Sequence, residues 1–274
     1  MTIGDPDDLR AATLDDVHAF FRRYYHPGNA SLALAGDIDT QAALDLAARY
    51  FGEIERGPDV AAVDVAAAPL QSEVRLLLED RVELPRLYAA WHSPALFGEG
   101  DAHLDLVAEV LAGGKTSRLY RSLVYEQRIA TEVAASQNSR EMSSYFQIVA
   151  TAAPGHTLGE LQEAIARELQ SVVDPGPAAA EMERCLAQAE SHFLYRLQTV
   201  GGFGGKSDQL NAYNVYLGDP AFFARDLERY RRATAAHLRD AAARWLGAGR
   251  VVLSVVPKGR RDLAIAGSES AAVA

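Results

Sequence analysis

The chain of 274 residues has a single cysteine, Cys185. That count excludes a disulfide framework and a cysteine-built zinc site. Cys185 lies in a helical stretch among Ala and Leu and reads as buried filler. His192 follows seven residues on, and two helical turns, about 10 Å of rise, are too long for a nucleophile and its base. Lysine is nearly absent. Lys115, Lys206 and Lys258 are the only three, the formal net charge is -10, and there is no sustained basic run. Nucleic acid and anionic membrane surfaces are poor partners for such a chain. No apolar run reaches the ~18–20 residues that span a bilayer. The polar, acidic opening MTIGDPDDLRAATLDD lacks the apolar core of a secretory signal. The expectation is a soluble chain, cytoplasmic as written, with the compartment unknown and the periplasm open to a longer parent.

Phosphate loops are missing as well. A P-loop needs G-x-x-x-x-G-K-[ST] between a strand and a helix. Gly205-Lys206-Ser207 has Val200 at the first position, and Gly114-Lys115-Thr116 has Glu109 there. Both stretches follow helices, where glycine serves as a cap or turn. VGGFGGKSDQLNAYN is therefore read as a glycine-relaxed helix–helix junction. Gln209, Asn211 and Asn214 act in it as local hydrogen-bonders, and Lys206 is a weak candidate for a loop contact to substrate or partner.

What is present is regular. Thr13 with Asp16 predicts a capping box, and Leu14, Val17, Phe20, Phe21 and Tyr24 recur at helical spacing until Pro27-Gly28. SLALAG (31–36) reads as a short strand, and Asp39 caps a second helix that ends at Gly52. RGPDVAAVDVAAAPLQSE reads as a linker. EVRLLLED and PRLYAAWHS are strands, followed by helices over 101–112 and 116–127. ATEVAASQNS and SYFQIVATAA form an antiparallel pair. Thr157 with Glu160 opens a helix to Val173. Pro177 is placed at the first turn of a helix running to Val200, and Asp219-Pro220 opens a helix to Arg232. Thr234 caps a helix to Leu246, RVVLSVVP is the last strand, and 258–274 is a tail.

The chain also repeats itself. TLDDVHAFFRRYYHPGNASLALAG can be laid without a gap over TAAHLRDAAARWLGAGRVVLSVVP, which begins at Thr234. Arg23 then meets Arg244, Tyr24 meets Trp245, and Gly28 meets Gly249. Each segment reads as a capped helix, a glycine turn and a short apolar strand. The reading is a tandem: the end of one unit, then one complete unit.

LDDVHAFFRRYYHPGNASLALAGDID…ARYFGEI resembles the end of the first half of an insulinase/pitrilysin-family zinc peptidase, a family that includes mitochondrial processing peptidase. VELPRLYAAWHSPALFGEGDAHLDLVAEVLAGGKTSRLYRSLVYEQ resembles the opening of its second half. The resemblance covers residues 10–257. It implies an α+β fold, a mixed, mainly antiparallel sheet with helices packed on one face, of the mitochondrial-processing-peptidase/LuxS-like metallohydrolase type. The domains it implies are 1–56, the end of the catalytic-type half; 57–72, a linker; 73–257, a complete non-catalytic half; and 258–274, a tail.

The family's zinc site, H-x-x-E-H plus a downstream Glu, belongs to the first half. The seven histidines here lie at least eight residues apart, so the motif is absent. His103 with Asp105 and His156 with Glu160 are the nearest alternatives, and both read as surface positions near helix starts. Active relatives carry an Arg and a Tyr, seven residues apart, in the second half. In LVYEQRIAT these positions hold Val124 and Thr131, which supply neither cation nor phenol, and Arg128 is about a turn out of register. The resemblance thus implies no catalytic residue, no metal ligand and no cofactor bound by this chain, with zinc in a missing half or partner. It implies an inactive carboxy-terminal portion of an insulinase-like zinc metalloprotease that forms the wall of a peptide chamber and docks an active zinc-bearing half. The alternative is a non-proteolytic scaffold or peptide-binding protein of the same fold. Partners implied are a peptide or protein substrate, the zinc-bearing half, and a second copy associating through residues 13–51.

Overall fold

A computed structural model gives the architecture and describes residues 4–63 and 70–271. The linker expected at 57–72 and the tail expected at 258–274 thus lie partly outside the described residues, at 64–69 and 272–274. The order is α1 (Pro6–Ala11), α2 (Leu14–Tyr24), α3 (Thr40–Phe51), β1 (Val74–Asp80), β2 (Arg86–Ser93) and α4 (Asp101–Ala112). A π-helical stretch, Tyr120–Glu126, leads to β3 (Ala130–Asn138) and β4 (Ser144–Ala152). Then come α5 (Leu158–Val173), α6 (Ala179–Arg196), α7 (Lys206–Leu217), α8 (Phe223–Arg231), α9 (Ala235–Trp245), β5 (Val251–Pro257) and β6 (Glu269–Ser270). The described residues gather into two compact units: 4–63 with Leu194–Phe223, and 70–193 with 224–271.

The larger unit is built on one sheet, in the order β3-β4-β2-β5-β1-β6. The pairings from β3 through β5 are antiparallel, and β1 runs parallel to both β5 and β6. Strand alternation sets its two faces. Leu87, Ala89 and Trp91 of β2 are buried, while Arg86, Tyr88 and Ala90 between them are half-exposed. The buried face packs on α4, α5 and α9. Leu104, Val110, Leu111, Phe146, Leu161 and Leu238 have no exposed surface there. Trp91 stacks edge-on to Phe146, with centroids 6.2 Å apart, and its indole N–H donates to the Gly247 carbonyl at 2.9 Å. That bond removes the penalty a buried indole would otherwise carry.

The two copies of the repeat share their local devices. Thr13 and Thr234 are both extended N-caps (ψ 165° and 164°) whose hydroxyls accept the N–H three residues on. Arg23 lies 5.2 Å from the centre of Tyr24, and Arg244 lies 5.2 Å from that of Trp245. A Cβ on Gly28 would come within 2.7 Å of the Arg56 carbonyl oxygen, and one on Gly249 within 1.9 Å of that of Leu70. The copies differ in what covers them. Leu238 is wholly buried, whereas its counterpart Val17 is 45% exposed.

Several expectations are corrected. SLALAG forms no strand, although its counterpart is β5. A strand exists only in a ladder, and among the described residues none pairs with 31–36. The junction after α6 is not loose: residues 206–217 are α7, capped at its end by left-handed Gly218. Asn211 and Asn214 are not local bonders there, since both hydrogen-bond the Ser31 hydroxyl, at 2.6 and 3.1 Å. Pro177 does not open α6, which starts at Ala179, where Glu181 accepts the Ala178 N–H. The helix also stops at Arg196, short of Val200. Asp219 caps a turn, accepting from Ala221, and α8 starts only at Phe223. The tail is part of the sheet unit: Ile265 is buried, its N–H donates to Ser254 Oγ, and β6 pairs with β1.

Candidate functional site: the open face of the sheet

With helices on one face, the other is left open. The register lines up Glu132, Thr151, Arg86 and Val255 as one row across β3, β4, β2 and β5. Ala134, Val149, Tyr88 and Leu253 form the next row. In the first row the Arg86 guanidinium donates to Thr151 Oγ1 (2.9 Å) and to Glu132 Oε1 (2.7 Å), and Thr151 Oγ1 donates to the same carboxylate at 2.9 Å. Tyr88, and then the charge of Glu132, hold Arg86 above its ordinary value. The second row is aromatic and aliphatic and half-exposed. A fixed cation beside an apolar strip can hold a carbonyl or carboxylate while a side chain lies flat on the sheet.

The sequence-chosen positions fall unevenly. Thr131 belongs here: it is the extra residue of a β-bulge between Ala130 and Glu132, and its hydroxyl donates to the Thr151 carbonyl at 3.4 Å. A bulge bends an edge strand and re-aims the side chain at it. Val124 does not join it. It sits half-buried on the π-helical stretch and packs against the hydrophobic core, so this position serves packing. Lys206 lies in the smaller unit, exposed on the first turn of α7. In the lookalike loop there, the N–H groups a phosphate would need are already engaged at three positions. The N–H groups of Lys206, Ser207 and Gly204 go to Thr199 O, Val200 O and the Asp208 carboxylate.

Arg128 follows the π-helical stretch with φ 56°, in the left-handed region. The Ile129 N–H bonds the Leu123 carbonyl across it, the closure that usually recruits glycine. Arg128→Gly is expected to raise stability by about 1 kcal/mol, read as a higher urea midpoint at unchanged slope. A lower midpoint would show that the arginine side chain itself contributes stability.

A second polar cluster went unread in the sequence. Asp101, at the start of α4, accepts from the Phe97 N–H (3.0 Å), Ser139 Oγ (2.5 Å) and Arg229 (3.1 Å). Arg229 also bonds Asp226 at 2.8 Å, and the Tyr230 hydroxyl donates to Asp105 at 2.6 Å. Burial pushes the Asp105 carboxyl up to about 7, with Tyr230 pulling the other way and the charge of Asp101 adding to the rise. His103 stacks on His237 at 5.1 Å, and burial, then the charges of His237 and Arg229, lower its proton affinity. His103 and Asp105 are therefore half-buried in this cluster rather than at the surface, where the sequence reading put them. His156 with Glu160 is one: its carboxylate closes the capping box with Thr157. Cys185 is buried, which pushes its thiol up to about 11, out of reach of nucleophilic use at neutral pH. Among the described residues no three His, Cys, Asp or Glu side chains group as metal ligands. The side chains of the described residues do not fit a zinc site.

The family model for the peptidase M16 inactive domain matches residues 11–189. The chain belongs to the peptidase M16 family, as its inactive domain. It is 25% identical over 206 residues to the zinc protease PqqE of Helicobacter pylori, covering 74% of this chain and 46% of that protein. It is 25% identical over 181 residues to an uncharacterized zinc protease of Mycobacterium leprae, covering 65% and 40%. The chain thus spans less than half the length of these relatives. The crystal structure of a protease from Helicobacter pylori superposes with a TM-score of 0.80 at 21% identity, over 93% of this chain and 62% of that one. A peptidase M16 inactive domain from Pseudomonas fluorescens gives 0.77 at 19% identity, over 93% and 60%. The insulinase-type resemblance and the α+β fold expected from sequence are both met. Among the described residues no helix is long and apolar enough to cross a membrane.

Proposed function

We propose that this M16 inactive domain forms one wall of a peptide chamber, with the open sheet face turned to substrate, and docks a zinc-bearing half that performs the cleavage. The substrate is a peptide or unfolded protein segment, and the zinc resides in the docked half. The domain reading that goes with this gives 1–56 to the end of the preceding half and 73–257 to the wall.

The observation that carries the docking is the surface of α2 and α3. Phe20, Phe21, Leu44, Tyr50 and Phe51 are each more than half exposed. Capped amphipathic helices do not keep such a stripe in water without a covering partner. In the same unit a groove of about 280 Å³ runs along 31–34, lined by Leu32, Leu34, Leu210 and Pro220. The zinc-bearing half covers this surface, and in its absence a second copy of this chain does. The chain alone is therefore expected to associate in light scattering as concentration rises, and Phe20→Glu with Phe51→Glu to return it to monomer. It is also expected to take up no stoichiometric zinc and to cleave no peptide until the zinc-bearing half is added. A clean monomer at every concentration overturns the association, and zinc-dependent cleavage by the chain alone overturns the reading as a wall.

A further inference from the structure

Among the described residues, twelve glycines take a positive φ, and only two other residues do, Phe97 and Arg128. A side chain is costly there, and glycine is the ordinary solution. Phe97 has a use inside the fold: its N–H donates to Asp101 at 3.0 Å, and its ring lies 5.5 Å from the Arg229 guanidinium. Arg128 has no such use. It is exposed, and its guanidinium makes no hydrogen bond or ion pair with any described residue. Tyr125, three residues earlier, is 72% exposed, more than any other large apolar side chain among the described residues of the larger unit. It stands on the π-helical stretch, a rare geometry that recurs at functional sites. Glu126 between them pairs with Arg121 at 3.0 Å, so it does not cancel the charge of Arg128. Arg128 lies two residues before β3, at the end of the sheet that carries Glu132, Thr151 and Arg86. Of these two arginines, Arg86 is held by Glu132, and Arg128 keeps an unmatched charge.

We infer that Arg128 and Tyr125 form a grip for a peptide carboxylate that adjoins a bulky apolar side chain. The ligand follows from the groups on offer. The guanidinium fork matches the two oxygens of a carboxylate. The tyrosine ring beside it is a flat, open surface for an apolar side chain. The net charge of -10 turns polyanions away, so a single negative group is what fits. Backbone strain of the kind at Arg128 is kept where a side chain serves a ligand. A chain terminus and an acidic side chain both supply the carboxylate. This rests on the chamber-wall reading and names the class of peptide that the wall favours.

The test uses the full chain and a fluorescein-labelled glycine–serine peptide ending in leucine and phenylalanine. It is made as the free acid, as the carboxamide, and as the carboxamide with a glutamate before the leucine. Anisotropy at low salt is expected to show saturable binding, with the free acid or the glutamate peptide about 3- to 5-fold tighter than the plain carboxamide. Added salt should shrink that preference. Which of the two binds more tightly tells whether a chain terminus or an acidic side chain is held, and either outcome supports the grip. Arg128→Gly and Arg128→Asn, both at home at positive φ, are expected to lose the preference with an undiminished melting temperature, so that unfolding does not explain the loss. Arg128→Lys is expected to keep part of it, because the charge remains while the fork is gone. Tyr125→Ala is expected to weaken all three peptides alike. Equal binding of the three forms by the wild type, or a preference that survives in Arg128→Gly, overturns the grip and leaves the wall standing. No saturable binding of any form overturns the grip and counts against the wall as well.

Discussion

Arg229→Met is expected to destabilise the sheet unit by about 3–5 kcal/mol, because it removes one partner from a buried charge cluster and leaves the others. The guanidinium hydrogen-bonds both Asp101 and Asp226, whose side chains are 3% and 9% exposed. Methionine keeps the stem's volume, so packing loss is small. The cost comes from largely buried carboxylates that lose the Arg229 counter-charge. Asp101 keeps the Phe97 N–H and Ser139 hydroxyl, and it sits in the first turn of α4, where the helix dipole favours a negative charge. The effect should therefore fall mainly on α8, which carries Asp226. Urea unfolding followed by circular dichroism measures the total, and hydrogen exchange of 223–231 locates it. A loss below about 1 kcal/mol would mean that the carboxylates are well solvated, and that the cluster contributes little to holding α8.

How much of this was visible in the sequence depends on whether the signal is local. The capping boxes at Thr13 and Thr157 are local, and both formed as read. The strands 74–80, 86–93, 130–138 and 144–152 were legible because alternation survives when one face is buried. α7 was not, because its Leu210, Tyr213, Val215, Tyr216 and Leu217 spread around the helix and give no stripe. SLALAG has the composition of a strand, but composition cannot supply the neighbour a strand needs. The family resemblance pointed at Val124 and Thr131. Only the structure shows that one packs into the core and the other rides a bulge.

The open-face row was out of reach of spacing. Arg86 lies 65 residues from Thr151 and 46 from Glu132 along the chain, and only the β2–β4–β3 register brings them together. The α4–α8 cluster was half legible. Asp101 and Asp105 in DAHLDLVAEVLA share a helix face otherwise built of apolar residues, and Asp226, Arg229 and Tyr230 share one on α8. Each face read alone looks like a solvated stripe. That the two face one another depends on contacts between elements more than a hundred residues apart.

That cluster sets the second large effect, a pH dependence with a defined sign. Asp105 has a folded value of about 7 against an ordinary 3.8. The folded state therefore binds this proton more tightly than the unfolded state. Its stabilising contribution is fully present below about pH 4 and is lost as pH rises through about 7, a difference on the order of 4 kcal/mol. His103 acts in the opposite sense: its lowered proton affinity contributes stability above the ordinary histidine range, lost on acidification. The wild-type curve mixes the two, so the informative quantity is the difference from Asp105→Asn. Asparagine keeps an oxygen to accept the Tyr230 hydroxyl and cannot ionise. The variant is expected to match the wild type near pH 4, to exceed it increasingly from pH 4 to 7, and to keep that lead unchanged above pH 7 in urea midpoints. In Tyr230→Phe the loss should move to higher pH, because the hydroxyl that favours the ionised carboxylate is gone. In Arg229→Met it should move the same way, since the guanidinium also favours ionisation. Parallel curves for wild type and Asp105→Asn across this range would show that the carboxyl titrates where an exposed aspartate does, and that the α4–α8 seam is open to water.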